Sequence, residues 1–274
     1  MSGEQLHTVL RAALDEGRPV TFATVLAGPA VGAKLLVEVR GGGEVVCTGS
    51  LGDADLDAVV ERDLRGELAG GHSGVRHYGR HGEARLDEVT VFVDTFAPPP
   101  RMLIFGAVDF TASLVRVAKV LGYRVTVCDA REVFATQKRF PFADEVVVDW
   151  PHRLLERVGP TLGPADAVCV LTHDQKFDVP AIVAALHTEV GYLGAMGSRR
   201  TAHEREQRLR AAGVDDGALA RLHAPIGLDI GARTPEETAI SIMAEVITVR
   251  TGRPGASLRG GDGPLHAPSG RRAP

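Results

Sequence analysis

Hydrophobic positions in the first third of the chain show a helical period first and short apolar runs after it. Leu6, Val9, Leu10 and Leu14 lie at helical spacing, which predicts an amphipathic helix over residues 4–16. The strand-like runs that follow are Val20–Leu26, Lys34–Val39, Glu44–Thr48 and Asp87–Thr95, and a second helix is predicted at Asp53–Leu68. Asp53 or Asp55 is placed to cap that second helix. We therefore predict a small α+β domain over residues 1–96.

The run Ala97-Pro98-Pro99-Pro100 divides the two halves of the sequence. Proline has no N–H to donate within a helix or strand, so residues 97–100 are predicted to be a linker. Residues 253–274, rich in Gly, Pro, Ser and Arg, lack the apolar content of a core. They are predicted to be a disordered tail.

Between these segments, residues 101–252 alternate strand-like and helical patterns. The predicted strands are Arg101–Phe105, Arg124–Cys128, Glu145–Asp149, Ala167–Leu171 and Gly191–Ala195. The predicted helices are Asp109–Leu121, His152–Val158, Val179–Leu186, Ser198–Ala212 and a last one over residues 234–250. Such alternation predicts an α/β domain with a Rossmann-like parallel sheet. Ligands of such sheets bind outside the carboxyl ends of the strands, near the point where the strand order reverses.

The composition narrows the functional classes. A formal net charge of −4 and a pI near 6.2 provide no basic face for nucleic acid. No apolar run approaches the ~20 residues that span a bilayer, and no signal-peptide pattern is present. Cys47, Cys128 and Cys169 are scattered, without a C-x-x-C pair. We expect a cytoplasmic protein that binds neither membrane nor nucleic acid.

The first parallel strand ends in Gly106-Ala107-Val108-Asp109, where a dinucleotide-binding fingerprint would lie. Only the first glycine of that fingerprint is present. Asp109 is expected to cap the next helix and to place a carboxylate near any bound phosphate, which disfavours the usual pyrophosphate pose. Asp129 and Arg131 close the second strand. Asp129 either accepts a hydrogen bond from a ribose hydroxyl or caps the following turn, and the sequence leaves both open.

The fourth strand leads into Thr172-His173-Asp174, followed by Asp178. Polar residues at the end of a buried strand point to hydrogen bonding or proton transfer in the ligand crevice. Metal ligation by His173 with Asp174 or Asp178 is a weaker alternative, because the spacing follows no ligand rule. The remaining alternative is a histidine that is satisfied by neighbouring backbone.

Two further segments carry candidate binding residues. Gly197-Ser198-Arg199-Arg200 combines a glycine turn, a Ser cap and two guanidinium groups at a helix N-terminus, which suits phosphate or carboxylate. The alternative is a capped helix with exposed arginines. Gly227, Asp229 and Gly231 indicate a tight backbone path beside a ligand or a strand. Thr234-Pro235-Glu236-Glu237 is typical of a helix start with a capping box.

Taken together, these segments resemble the XdhC/CoxI family of accessory proteins for xanthine and carbon monoxide dehydrogenases. The resemblance is carried in order by Cys128-Asp129-Ala130-Arg131, Phe134-Ala135, Arg139-Phe140-Pro141, Thr172-His173-Asp174, Met196-Gly197-Ser198-Arg199-Arg200, Pro225–Gly231 and Thr234–Glu237. Family members typically have a cysteine in the N-terminal domain, whereas the corresponding segment Gly49–Asp55 has none.

The resemblance implies a non-catalytic maturation factor that binds molybdenum cofactor, as molybdopterin or its nucleotide form, and assists its sulfuration or insertion. A molybdenum hydroxylase apoenzyme, a cysteine desulfurase and a second copy of the chain would be partners. Ser198, Arg199 and Arg200 would hold the phosphate, and His173 would face the pterin or metal. The candidate cofactor-binding residues are Gly106, Ala107, Asp109, Asp129, Arg131, Thr172, His173, Asp174, Asp178, Gly197, Ser198, Arg199, Arg200, Gly227, Asp229 and Gly231. The alternatives are an NAD(P)-dependent oxidoreductase and a scaffold that binds no ligand.

Overall fold

A computed structural model of the chain describes residues 3–16, 18–39, 44–70, 73–83, 86–172 and 174–260. The chain forms two compact units that divide between Pro98 and Pro99. Two of the sequence predictions lie outside the described residues: the one for His173, and the part of the predicted tail from residue 261 onward.

The described residues of the first unit form five antiparallel strands and two helices. They are α1 (Gly3–Asp15), β1 (Val20–Ala27), β2 (Lys34–Val39), β3 (Val45–Ser50), α2 (Ala54–Gly70), β4 (Gly74–Tyr78) and β5 (Val89–Phe96), with the strand order β3-β2-β1-β5-β4. Side chains alternate between the faces of the sheet. On β2, Leu35 and Val37 pack in the cluster with α2, whereas Leu36 packs in the cluster with α1. The predicted α+β domain is confirmed, with β4 as a strand that the sequence did not indicate.

The second unit alternates strands and helices, as predicted. Its elements are β6 (Arg101–Phe105), α3 (Asp109–Val120), β7 (Arg124–Asp129), β8 (Glu145–Val148), α4 (Pro151–Val158), β9 (Ala167–Val170), α5 (Gln175–Leu186), β10 (Tyr192–Ala195), α6 (Arg199–Ala211), α7 (Asp216–Leu219), β11 (Leu222–His223) and α8 (Pro235–Thr251). The described residues between β7 and β8 form turns and contain no helix.

The six strands of this unit are all parallel and lie in the order β11-β10-β9-β6-β7-β8. This is the Rossmann order 3-2-1-4-5-6, and its switch point falls between β6 and β9. One face of the sheet packs against α3 and α8, and the other against α4, α5 and α6. All four residues of β9 are buried, because helices cover both faces.

Within the part of the chain that the structure describes, no helix has the length and apolar character needed to cross a bilayer.

Candidate functional site

The turn after β6 packs directly on the end of β9. Gly106 has φ +112°, and a Cβ at this position would lie 2.9 Å from the backbone nitrogen of Thr172. Only glycine combines this backbone conformation with so close an approach. The first glycine of the incomplete fingerprint therefore joins the two strands at the switch point.

Asp109 does not cap α3, so the predicted cap was wrong. Val108 holds the extended N-cap position (φ −100°, ψ 175°) and no side chain caps the helix. Asp109 is already the first helical residue, one position too late for its side chain to act as N-cap. Its exposed carboxylate lies 3.6 Å from Nη2 of Arg139. Thr111, at the position of the third fingerprint glycine, donates its hydroxyl to the Gly106 carbonyl at 2.6 Å.

Asp129 fixes this turn from the neighbouring strand. Its Oδ2 accepts hydrogen bonds from the Ala107 N–H at 2.8 Å and from Arg131 Nη2 at 2.7 Å. Its Oδ1 accepts from the backbone N–H and Nε of Arg131, both at 2.9 Å. Burial alone would raise the pKa of Asp129, but the hydrogen bonds from Arg131 and Ala107 outweigh it and lower the pKa. Four donors occupy the carboxylate, so it is a structural acceptor that supports the turn.

A cavity of about 660 Å³ opens at the switch point. Its lining residues come from the ends of β6, β7 and β9 and from the start of α5, and they are Val108, Arg131, Thr172, Asp174, Gln175 and Lys176. The volume is in the range of pockets that hold small organic ligands, roughly 300–1,000 Å³. Two cationic side chains and one carboxylate therefore face the place where sheets of this order bind their ligands.

The predicted residues at the end of β9 have structural partners as well as a position in the cavity. Thr172 is buried, and its hydroxyl accepts a hydrogen bond from the Asp174 N–H at 3.1 Å. Asp174 is the N-cap of α5, and its Oδ1 accepts from the Lys176 N–H at 3.0 Å. These bonds set the start of α5, which begins four residues before the helix predicted at Val179. The backbone path thus directs Thr172 and Asp174 toward the cavity.

Asp178 is buried in α5 and pairs with Arg205 of α6. The Arg205 Nη2 donates to Asp178 Oδ2 at 3.0 Å and to the Met196 carbonyl at 2.8 Å. Asp178 therefore lies outside the lining of the switch-point cavity. No pattern in the sequence indicates this pair, because Arg205 is one of several charged residues on a strongly polar helix.

The N-terminus of α6 has the predicted cap and two exposed arginines. Ser198 accepts the Thr201 N–H at 3.1 Å, which confirms the Ser cap. Arg199 lies 3.5 Å from the Asp229 carboxylate and Arg200 lies 3.4 Å from Glu204, and both arginine side chains are almost fully exposed. Contacts of this kind are weak in water, so both guanidinium groups can exchange them for an anion.

The loop after β11 is held by Glu245 of α8. Glu245 Oε2 accepts from the Gly227 N–H at 2.8 Å and from the Tyr192 hydroxyl at 2.5 Å. Burial would raise the pKa of Glu245, but His223, Tyr192 and Gly227 lower it below its ordinary value. A Cβ on Gly227 would lie 2.5 Å from Ser241 Oγ, whereas Gly231 has open space around it. Glu245 thereby sets the path that brings Asp229 to Arg199.

The structure thus gathers the predicted residues into two neighbouring groups. Arg131, Thr172 and Asp174 line the switch-point cavity, and sequence reasoning missed Lys176 on its wall. Arg199 and Asp229 meet beyond β10, the strand next to β9. Lys176 could have been found from its place two residues after Asp174, once α5 was known to begin there.

The described cysteines offer no thiolate to the cavity. Cys128 is buried and donates its S–H to the Asp149 carbonyl at 3.3 Å, and burial raises its pKa to about 12. Cys169 is also buried, and burial raises its pKa further. Cys47 belongs to the other unit and is exposed.

In that first unit, three side chains lie close enough together to share a metal ion: Asp53, Asp55 and His81. Asp53 already caps α2, because its carboxylate accepts a hydrogen bond from the Leu56 N–H.

Comparison with known proteins places this chain in a family. A family model described as the XdhC Rossmann domain matches residues 102–246, more than half of the chain. The chain is 32% identical over 166 residues to a probable xanthine dehydrogenase subunit of Bacillus subtilis, covering 60% of this chain and 48% of that protein. It is 28% identical over 155 residues to the molybdenum cofactor insertion chaperone PaoD of Escherichia coli, covering 57% of this chain and 42% of that protein.

The chain therefore spans less than half the length of each of these two relatives. Among solved structures, a xanthine dehydrogenase from Bacillus halodurans aligns with a TM-score of 0.51 and 21% identity, over 92% of this chain and 97% of that one. At this identity the likeness shows the fold.

Proposed function

Because the chain belongs to the XdhC family, we propose that it is an accessory factor in the maturation of a molybdenum hydroxylase. In this proposal it holds molybdenum cofactor as cargo at the carboxyl edge of the parallel sheet. The supporting observation is the cavity of about 660 Å³ at the switch point, whose polar lining residues follow β7 and β9 and begin α5. The names of the two relatives, one a component of a xanthine dehydrogenase and the other a molybdenum cofactor insertion chaperone, point to the same role.

The residues of this edge fit the phosphate-bearing part of such a cargo. Arg199 and Arg200 are exposed guanidinium groups at a helix N-terminus, and Ser198 completes the turn beside them. Guanidinium groups bind phosphate through paired hydrogen bonds, and the helix dipole favours an anion there. We infer that Ser198, Arg199 and Arg200 hold the phosphate, with Asp229 releasing Arg199 when it binds.

The metal end of the cargo has no soft ligand among the described side chains of the cavity. The molybdenum centre supplies the redox chemistry of the recipient enzyme, and this chain contributes binding and protection. We propose a carrier without a reaction of its own, in line with the name of the chaperone relative. A molybdenum hydroxylase apoenzyme, a cysteine desulfurase and a second copy of the chain are its proposed partners, and sulfuration or insertion is the step it assists.

The test is to purify the protein anaerobically from a host that makes the cofactor, and to assay molybdenum, oxidised pterin and released NAD(P) in one sample. The proposal expects stoichiometric pterin. Substituting Arg199→Gln with Arg200→Gln should reduce bound pterin at least about tenfold, the loss expected from a charge-assisted hydrogen bond.

A matched control is Arg62→Gln with Arg80→Gln, two exposed arginines of the other unit with equally weak ion pairs. This control should keep its pterin. Absence of pterin from the wild-type protein would reject the carrier role, and bound NAD(P) in its place would support the oxidoreductase alternative. Unchanged pterin in the Arg199/Arg200 variant would reject the assigned phosphate site alone.

A further inference from the structure

The switch-point cavity contains an arginine that is fixed in place before any ligand arrives. Asp129 holds Nε and Nη2 of Arg131, and the Phe134 ring lies 4.6 Å from the guanidinium carbon. An arginine restrained on two sides loses little side-chain freedom when it binds an anion. Among the hydrogen bonds of the described residues, none engages Nη1 of Arg131, and this residue lines the cavity.

Lys176 supplies a second cation from another wall of the same cavity. It lies in the first turn of α5, where its backbone N–H donates to Asp174 Oδ1, and the residue is exposed. Arg131 follows β7 and Lys176 lies in the first turn of α5, and both line the cavity, so both can contact one group placed between them. Two cations of different geometry on separate walls suit a phosphate, which accepts hydrogen bonds from several directions.

Asp174 limits the class of ligand further. Its Oδ1 is occupied by the Lys176 N–H, while no bond among those of the described side chains engages Oδ2. In dinucleotide-binding sheets, the acidic residue at the end of the second strand normally accepts hydrogen bonds from the hydroxyls of a ribose. Here that residue is Asp129, whose carboxylate already accepts four hydrogen bonds from N–H groups of Ala107 and Arg131. Among the described lining residues, Asp174 is thus the carboxylate able to accept a sugar hydroxyl, beside the two cations.

We propose that Arg131 and Lys176 form a binding site for a phosphomonoester carried on a sugar or pterin side chain, with Asp174 accepting a neighbouring hydroxyl. This site is separate from Ser198, Arg199 and Arg200, which lie at the next strand end. The proposed site does not require the cargo to be a pterin. An experiment can therefore support or reject this site independently of the carrier role. The phosphate at this site comes from a 2′-phosphorylated nucleotide or from the terminal phosphate of the cargo. In the second case Arg131 and Lys176 hold the cargo phosphate in place of Ser198, Arg199 and Arg200.

NADP⁺ and NAD⁺ form a suitable probe pair, because they differ only in the 2′-phosphate. Isothermal titration of the full chain should show that NADP⁺ binds at least about tenfold more tightly, as expected for one charge-assisted hydrogen bond. Lys176→Gln should remove most of this preference while the affinity for NAD⁺ changes little. Lys138→Gln is the control, since it removes one exposed charge from the β7–β8 segment outside the cavity.

Arg131→Gln should remove the preference as well, and thermal unfolding monitors whether the loss of the Asp129 partner affects the fold. In pterin-loaded protein, displacement of pterin by NADP⁺ would identify the cargo phosphate as the natural occupant. Binding of NADP⁺ with pterin retained would identify a separate nucleotide. Equal affinity for the two nucleotides, no binding of either, or a preference that survives both variants would overturn the proposal.

Discussion

Arg205 and Asp178 form an ion pair 3.0 Å apart between α6 and α5, with side-chain exposures of 2% and 5%. Arg205 also donates to the Met196 carbonyl at the end of β10. The pair therefore joins two helices to the strand end that precedes the Gly197 turn. Asp178, which the sequence predicted as a cofactor-binding residue, is positioned to hold the elements that carry the candidate site.

Replacing Asp178 by Ala should destabilise the protein strongly. The change leaves the Arg205 charge buried without its partner, which typically costs about 3–5 kcal/mol. Asp174→Ala is the matched comparison, because it removes only an exposed helix cap and should cost about 1 kcal/mol. Urea unfolding measures both values. Similar small losses for the two variants would show that the pair is not important for stability, and Arg205→Met combined with Asp178→Ala should recover part of the loss.

The Asp129 carboxylate should contribute stability that depends on pH. Its pKa is lowered in the folded protein, because the hydrogen bonds from Arg131 and Ala107 outweigh burial. A lowered folded-state pKa gives stability that is fully present above the unfolded pKa of about 3.9, and that is lost as the pH falls through the folded value.

Asp129→Asn should accordingly lower the unfolding free energy at pH 7 by about 1–3 kcal/mol. The difference from wild type should shrink as the pH is lowered below about 4. Urea titrations at pH 7 and pH 3 test this expectation. A difference that stays constant over that range would mean that the charge on Asp129 is not the source of the effect.

Gly106→Ala should be more destabilising than Gly122→Ala. Both glycines have positive φ, +112° and +82°, so both substitutions strain the backbone by about 1 kcal/mol or more. At Gly106 the new Cβ would also lie 2.9 Å from the Thr172 nitrogen, whereas at Gly122 nothing lies within 4 Å. Thermal unfolding should show the larger loss for Gly106→Ala, together with an altered chemical shift of the Thr172 amide. Equal losses would contradict the close contact.

Thiol labelling should distinguish Cys47 from the other two cysteines. Cys128 and Cys169 are buried, while Cys47 is exposed and its pKa is raised to about 11 by partial burial and by Glu61. A maleimide should therefore modify one cysteine in the native protein, slowly at pH 7, with a rate that rises about tenfold per pH unit because the thiolate is the reactive form. Mass spectrometry after proteolysis identifies the site, and labelling of Cys169 without denaturant would contradict its burial.

The sequence predicted the structure best where a short local pattern was sufficient to define an element. The apolar run at Ala167–Leu171 predicted a fully buried strand, and β9 is buried throughout. Thr234 and Glu237 predicted a capping box, which the structure confirms. The Asp109 cap was wrong because Val108 occupies the N-cap position and Asp109 is already the first helical residue. β11 was missed because Leu222–His223 is too short to show a period.

The candidate site was less predictable, because its contacts join residues that are distant in sequence. Arg131, Thr172 and Asp174 were found from their position at strand ends, which is a property of the chain alone. Lys176 required the true start of α5, and the partner of Asp178 required knowledge of which face of α6 is buried. A buried arginine cannot be told from a surface one by composition, since both occur among charged neighbours.

The contact between Gly106 and Thr172 also determines which parts of the cavity can move. At this contact the backbone of Gly106 packs against the backbone of Thr172. The strands β6 and β9 therefore cannot shift or separate without breaking the hydrogen bonds that pair them. The floor of the cavity is rigid, and any opening must come from its walls. Those walls are the described, helix-free segment after β7 and the first turn of α5, so any adjustment to a bound ligand would fall on them while the strands stay fixed.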